Sequence, residues 1–155
     1  DGTVGQLAVR GPIGCRYLDD ERQSEYVRDG WNFTGDAYIR DADGFFSYQA
    51  RTDDMIITAG YNVAAPEVEQ ALLSHPSVSE AGVIGVADEK RGTVVKAYVL
   101  LRDPSAATDT HAAELKDHVK ATIAPYKYPR LIEFVDGPLP KTQTGKLRRQ
   151  ALREI

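Results

Sequence analysis

The spacing of apolar residues changes at about residue 53, and this change constrains the fold more than any other feature of the chain. Before it, short alternating segments predict strands separated by glycine-rich turns. The segments are 6–10, 33–39 and 45–49. The last two flank Asp43-Gly44, a dipeptide that suits a hairpin because glycine readily takes a positive φ. The first third of the chain is therefore predicted to be β-rich.

After residue 53 the pattern alternates between strands and helices. Apolar residues recur every third or fourth position in two segments, which predicts helices with one buried face. Pro66 suits the first turn of the earlier helix. The predicted elements are a buried strand at 55–57, a helix at 67–74, strands at 78–86 and 93–101, a helix between 104 and 125, a strand at 131–135 and a helix from about 146. This order predicts an α+β fold with a two-layer β-α-β-β-α-β domain.

Composition excludes several classes of function. A net charge of −4 and a pI of about 5.4 leave no broad positive surface for nucleic acid. The single cysteine, Cys15, allows neither an internal disulfide nor a cysteine zinc site, so a reducing, cytoplasmic compartment is expected. No apolar run approaches the roughly 20 residues of a membrane span. Because a strand-like segment starts at once and no methionine precedes it, we expect a fragment.

Three segments are candidates for chemistry. In the first, Thr34-Gly35-Asp36, an aspartate follows a turn glycine and could accept hydrogen bonds from two vicinal hydroxyls. In the second, Arg51 precedes the neighbouring carboxylates of Asp53 and Asp54 at the change of architecture, where a hinge would fall. Taken alone, these two segments are explained more simply as a capped turn and a solvated acidic turn.

The third segment is a loop that carries Gly145-Lys146. It is not a Walker-type phosphate loop, because Pro140 stands where a glycine is required and Leu147 where serine or threonine is required. A lysine on a mobile loop could bring a compact charge to a phosphate or carboxylate oxygen. A solvated lysine is the simpler alternative, and residues 146–153 fit the solvent-facing side of a last helix.

The histidines predict no metal site. His111 and His118 lie two helical turns apart, about 10 Å along the axis, and His75 near the end of a helix is expected to bond its last carbonyls. Structural roles are therefore expected for all three.

Together these segments resemble the C-terminal signature of the adenylate-forming superfamily, which includes acyl-CoA synthetases, peptide-synthetase adenylation domains and luciferases. The resemblance covers nearly the whole chain. It runs through 5–12, Gly30-Trp31, 34–36, 51–69, His75-Pro76, Tyr126-Lys127 and 144–146. It implies that residues 1–52 end a large AMP-binding domain and that residues 53–155 form a small lid domain.

The resemblance also implies an activity and roles for single residues. An acid–CoA ligase would form an acyl-adenylate from ATP and a carboxylic acid, then transfer the acyl group to CoA. Asp36 would hold the ribose hydroxyls, Arg51 would contact the ribose or a phosphate, and Asp53 would be the hinge. Lys146 would bind the α-phosphate and carboxylate oxygens during adenylate formation.

A pantetheine channel is implied at Gly60, Tyr61 and Asn62. The sequence departs from the common family pattern at Tyr61, and at Ala50, where many members have glycine. Both departures leave the family resemblance intact but make the roles of single residues at the thiol site less specific. Residues 48–51 and 59–62 are most similar to benzoate– and 2-aminobenzoate–CoA ligases, so an aromatic acid is the expected substrate.

Other parts of such an enzyme are missing from this sequence. It contains no loop for the ATP β- and γ-phosphates, no adenine platform and no acyl pocket, and the ligands of the Mg²⁺ expected with ATP are also absent. We therefore expect the chain to need the N-terminal domain of the same enzyme and to be inactive alone. Two alternatives stay open: a non-catalytic binding module that acts in trans, and part of a carrier-protein-dependent adenylation domain.

Overall fold

The structure, a computed structural model, describes residues 2–12, 19, 21 and 23–154, so Cys15 lies outside the described residues. The chain divides into two compact units, Asp1–Met55 and Ile56–Ile155. The α+β class is confirmed. The assignment of the two parts to a large and a small domain of an enzyme stays a prediction. Within the described residues, no helix is both long and apolar enough to cross a membrane.

The first unit is an antiparallel sheet built on one long strand. Its elements are β1 (Val4–Val9), α1 (Gln23–Tyr26), β2 (Val27–Arg28), β3 (Trp31–Arg40) and β4 (Phe46–Arg51). Strands β1 and β2 both pair with β3, and β4 pairs with β3 as well. The predicted hairpin between β3 and β4 is confirmed: Gly44 has a φ of 90°, and the Asp41 carboxylate accepts the backbone N–H groups of Asp43 and Phe45.

The second unit contains a three-stranded sheet and a separate hairpin. Its elements are β5 (Met55–Thr58), β6 (Tyr61–Ala64), α2 (Ala65–Leu73), β7 (Val78–Asp88), β8 (Gly92–Leu101), α3 (Asp109–Thr122), β9 (Leu131–Phe134) and α4 (Arg149–Leu152). Strand β5 pairs with β6, and the larger sheet has the order β7-β8-β9. Strands β7 and β8 are antiparallel, whereas β9 runs parallel to β8.

Two local predictions for this unit were wrong and one strand was missed. Strand β6 was not predicted; it forms because Ala59 and Gly60 have φ values of 48° and 83°, the two positive values that a tight two-residue hairpin needs. Strand β5 is not fully buried, since Ile57 is 65% exposed. The last helix begins at Arg149 and not at Lys146, which belongs to the preceding loop.

The two faces of the larger sheet are covered by different parts of the chain, because successive side chains of a strand point to opposite sides. One face packs against α2 and α3 through Val83, Leu72 and Leu115. The opposite face packs through Ile84 against Leu152 and other leucines of residues 139–152. The C-terminal segment, which includes Lys146, is therefore held on the side of the sheet away from the two long helices.

Candidate functional site

The first candidate cluster lies in the first unit, where β3 and β4 place Asp36 directly opposite Arg51. Arg51 Nη1 donates to Asp36 Oδ1 at 2.9 Å and to the carbonyl oxygen of Thr34 at 3.1 Å. The Thr34 hydroxyl also accepts the backbone N–H of Asp36 at 3.2 Å. Residues 34–36, predicted as a turn, lie instead within β3, at the point where its pairing with β1 is irregular. This segment is bound both to itself and to the arginine.

Gly35 has two separate reasons to be glycine. Its φ is +74°, in the region that L side chains rarely adopt. A Cβ at this position would lie 2.7 Å from Arg51 Nη2 and 3.1 Å from Arg51 Cζ. The glycine therefore leaves the space that the guanidinium occupies, which explains the Thr-Gly-Asp order in physical terms.

The ion pair between Asp36 and Arg51 leaves one oxygen of the Asp36 carboxylate available. Burial acts to lower the pKa of Arg51, but the hydrogen bond and charge of Asp36 outweigh it, so the pKa of Arg51 is raised above its usual value. Among the described residues, none hydrogen-bonds to Asp36 Oδ2, and the Asp36 side chain is 28% exposed. This oxygen is free to accept from a bound hydroxyl.

Asp53 lies in a short 3₁₀ turn, Thr52–Asp54, that directly follows Arg51. Asp53 is exposed, and the turn ends one residue before the boundary between the two compact units. This position agrees with a residue that connects two units, while its action as a hinge stays a prediction.

The second candidate feature is the lysine loop, residues 141–147, whose two ends meet in a bridge between Lys141 and Leu147. Inside it, the backbone N–H of Thr142 donates to the carbonyl oxygen of Lys146 at 2.7 Å, and the N–H of Lys146 donates to the Thr142 hydroxyl at 3.1 Å. Gly145, with a φ of +81°, allows the turn. Lys146 is exposed, and no described residue bonds its ammonium group.

Gly60, Tyr61 and Asn62 lie at the β5–β6 turn and are exposed. Apart from its two chain neighbours, no described residue has an atom within 4 Å of a Cβ built at Gly60, so glycine is required here by the positive φ and not by close packing. The ring of Tyr61 stacks on that of Tyr126, with centroids 4.6 Å apart and planes at 29°. The two rings form an exposed aromatic surface beside the turn.

Sequence reasoning missed two ion pairs that hold the C-terminal segment. Glu69 on α2 accepts from Arg149 at 2.6 Å, although Arg149 was predicted to face solvent; its side chain is only 16% exposed. Glu80 on β7 accepts from Lys141 at 2.6 Å. The partners are 80 and 61 residues apart in sequence, so no local pattern could indicate them.

The three histidines are gathered at the end of α2 and along α3. The ring of His75 lies 5.6 Å from that of His111 and 5.0 Å from that of His118. The predicted bond from His75 to the last carbonyls of α2 is wrong, since its Nδ1 contacts the Ser77 hydroxyl at 2.7 Å. Burial, followed by the charges of the other two histidines, lowers the pKa of His75, against the opposing charge of Glu114.

A metal centre does not emerge from this histidine group or from the rest of the described chain. No group of three or more histidine, cysteine, aspartate or glutamate side chains there is placed to hold an ion. The chemistry available to the described residues is therefore that of a carboxylate–guanidinium pair in the first unit and of an exposed lysine and an aromatic surface in the second.

Comparison with known proteins shows the family to which the chain belongs. The model of the AMP-binding enzyme C-terminal domain matches residues 67–146. The chain is 43% identical over 157 residues to the uncharacterized acyl–CoA ligase YtcI of Bacillus subtilis, covering 99% of this chain and 30% of that protein. It is 44% identical over 156 residues to 4-hydroxybutyrate–CoA ligase 1 of Metallosphaera sedula, covering 97% and 28%. The chain thus spans less than a third of the length of these relatives.

Two solved structures are also similar. One is o-succinylbenzoate CoA synthetase of Bacillus subtilis in complex with its acyl-adenylate intermediate, with a TM-score of 0.80 and 38% identity over 97% of this chain and 30% of that one. The other is the anthranilate CoA ligase AuaEII in complex with anthranoyl-AMP, with a TM-score of 0.79 and 37% identity over 99% and 30%.

Proposed function

Since the chain belongs to the family of AMP-binding enzyme C-terminal domains, we propose that it is the C-terminal part of an ATP-dependent carboxylic acid–CoA ligase. The observation that carries this proposal is the closed lysine loop. Its exposed Lys146 is the last residue of the segment that matches the family, and it is held on a folded turn instead of a disordered tail.

Lys146 is proposed to act in the first half-reaction, in which the acid attacks the α-phosphate of ATP and pyrophosphate leaves. Negative charge grows on the phosphate oxygens as the new bond forms. An ammonium group beside those oxygens stabilises the transition state more than the ground state, which raises the rate. The exposed lysine side chain suits this task because it reaches beyond the loop without breaking a bond to a described residue.

Asp36 and Arg51 are proposed to bind the nucleotide. Asp36 Oδ2, which no described residue engages, would accept from a ribose hydroxyl while Oδ1 stays bonded to Arg51. The exposed part of the Arg51 guanidinium would then face the ribose or the phosphate. ATP is expected to arrive with Mg²⁺, whose ligands are expected elsewhere in the whole enzyme.

The second half-reaction is proposed to use the β5–β6 turn, where Gly60, Tyr61 and Asn62 would border the pantetheine channel. Open space beside Gly60 and the aromatic surface of Tyr61 support a site that accepts a long, thin chain. Asp53 is proposed as the hinge between the two half-reactions. The N-terminal domain of the same enzyme is the proposed partner, and this chain alone is expected to form no acyl-adenylate.

An aromatic carboxylic acid is the proposed substrate. Support comes from the two similar structures, whose names state o-succinylbenzoate and anthranilate as their acids. A similar relative named for 4-hydroxybutyrate makes an aliphatic acid the competing choice.

The test is ATP-dependent thioester formation by the whole enzyme that contains this chain, with benzoate, 2-aminobenzoate and a series of short fatty acids. The proposal expects CoA thioesters, with a higher kcat/KM for the aromatic acids. Preference for a fatty acid would overturn the aromatic assignment, and the absence of any thioester from all acids would overturn the ligase assignment.

A further inference from the structure

Hydrogen bonds between its own residues close the lysine loop, so its orientation depends on what holds its two ends. Four hydrogen bonds join residues within the loop, including Gly145 N–H to the Thr142 carbonyl at 2.9 Å, and a fifth joins Arg148 N–H to the Pro140 carbonyl just beyond its ends at 2.9 Å. We expect the residues of such a closed loop to shift together when the residues at its two ends, which form its base, shift. The position of the Lys146 ammonium therefore depends on what fixes the base.

Glu80 fixes the entering end of the loop. One carboxylate oxygen accepts from Lys141 Nζ at 2.6 Å, and the other accepts the backbone N–H of Leu139 at 3.0 Å. Hydrogen bonding to Lys141 and to Leu139 outweighs burial and lowers the pKa of Glu80. Glu80 is thus ionised at neutral pH and bonds both a side chain and the backbone of this end.

Glu69 fixes the leaving end of the loop. Its carboxylate receives two hydrogen bonds from Arg149, at 3.2 Å and 2.6 Å, and also accepts the backbone N–H of Val83 at 2.9 Å. Glu69 is only 9% exposed. A two-pronged bond between arginine and carboxylate fixes direction as well as distance.

Packing alone does not hold the loop between these two carboxylates. A cavity of about 230 Å³ lies there, lined by Glu69, Glu80, Lys141, Gly145 and Leu147 among others. Within the loop, Leu147 packs against the buried cluster that contains Ile84 and Leu152, while Lys141 and Gly145 border the open space. The two ion pairs therefore act together with the packing of Leu147, Leu139 and Leu152 to hold the loop in place.

We propose that Glu80 and Glu69 are positioning residues for Lys146: they clamp the two ends of the lysine loop and so fix where the ammonium group is delivered during adenylate formation. This inference rests on the proposed function of Lys146. Misplacement of a catalytic group by about 1 Å can cost on the order of 100-fold in rate. The clamp should therefore matter for adenylate formation and not for thiol transfer, in which Lys146 has no proposed part.

The test compares Glu80→Gln and Lys141→Met in the whole enzyme. Both remove the ion pair, while Lys141→Met leaves the acceptor for Leu139 in place. The matched control is Glu133→Gln, which breaks a pair of similar length, Lys96–Glu133 at 2.7 Å, on the same sheet. Three quantities are measured: kcat and KM for adenylate formation, thioester formation from preformed acyl-adenylate, and hydrogen exchange of residues 141–149.

We expect Glu80→Gln and Lys141→Met to lower kcat for adenylate formation by about tenfold or more, with KM changed less, and to speed exchange in the loop. Thioester formation from preformed adenylate should stay within about twofold, which also shows that the variants are folded. Glu133→Gln should change none of these quantities.

Two results would overturn the inference in distinguishable ways. If Lys146→Ala abolishes adenylate formation while both clamp variants keep normal kcat, the ion pairs are merely structural and the proposed function stands. If Lys146→Ala leaves adenylate formation unchanged, the proposed function of the lysine fails and the clamp has nothing to position.

Discussion

Gly82 on β7 offers the sharpest test of how the C-terminal segment is held. It lies on the face of the sheet that packs against the leucines of residues 139–152. A Cβ at Gly82 would lie 2.7 Å from Leu152 Cδ1, 3.1 Å from Leu139 Cδ1 and 3.2 Å from Leu147 Cδ2. We expect Gly82→Ala to loosen this segment.

The magnitude follows from two opposing effects. Carbon atoms rest at about 3.5–4.0 Å, so Leu152 must retreat by roughly 1 Å, and overpacking of this kind costs about 1–3 kcal/mol. Gly82 lacks a positive φ, so alanine adopts the strand without strain, and the lower entropy of the unfolded chain returns about 0.5–1 kcal/mol. The net destabilisation lies between about 0 and 2.5 kcal/mol, which corresponds to as much as roughly 70-fold in an opening equilibrium.

Hydrogen exchange of residues 139–152 in the whole enzyme measures this opening directly. The matched control is Gly137→Ala, because no atom lies within 4 Å of a Cβ there and its φ is not positive. That change should slow exchange or leave it unchanged. If Gly82→Ala also slows exchange, the leucines do not press against this glycine and the packing argument is refuted.

Three further outcomes are expected. Arg149→Met should cost about 3 kcal/mol in urea unfolding, since Glu69 loses a charged partner while buried; a cost below about 1 kcal/mol would contradict a buried pair. Because the pKa of His75 is lowered on folding, the unfolded chain binds more protons, so the free energy of unfolding should fall as pH drops below about 6.5. In His75→Asn the free energy of unfolding should depend less on pH in this range, and an unchanged pH dependence would contradict the assignment to His75. Ala59→Gly should raise stability by about 0.5 kcal/mol, because relief of the strain at a φ of +48° exceeds the larger entropy that glycine loses on folding; a lower denaturation midpoint would contradict this strain at Ala59.

The parts of the fold that local patterns control were predictable from the sequence. The fourfold spacing of Leu115 and Val119 predicted a helix, and both residues are fully buried on α3. Asp43-Gly44 predicted a hairpin turn for the same local reason, the ease with which glycine takes a positive φ. Strand β6 was missed because the turn before it starts with Ala59. Alanine is strained at a positive φ and is not a typical turn residue, so no local pattern indicates a turn there.

The candidate site was predictable only where a family pattern supplied the position. The Thr34 to Asp36 turn and Arg51 were predicted separately, and the structure brings them into one cluster within the first unit. The reason for Gly35, room for the Arg51 guanidinium, depends on strand register that no single segment reveals. The same limit hid the pairing of Glu69 on α2 with Arg149 at the start of α4.

Lys146 is proposed as the catalytic lysine of adenylate formation, and the most direct test of this role is the first half-reaction of the whole enzyme, followed by pyrophosphate release. Lys146→Ala is compared with Lys90→Ala, which removes an exposed lysine from the turn between β7 and β8. We expect Lys146→Ala to slow adenylate formation by about 100- to 1,000-fold, with thiol transfer from preformed adenylate retained and Lys90→Ala without effect. Adenylate formation that is equally fast in both variants would contradict the claim.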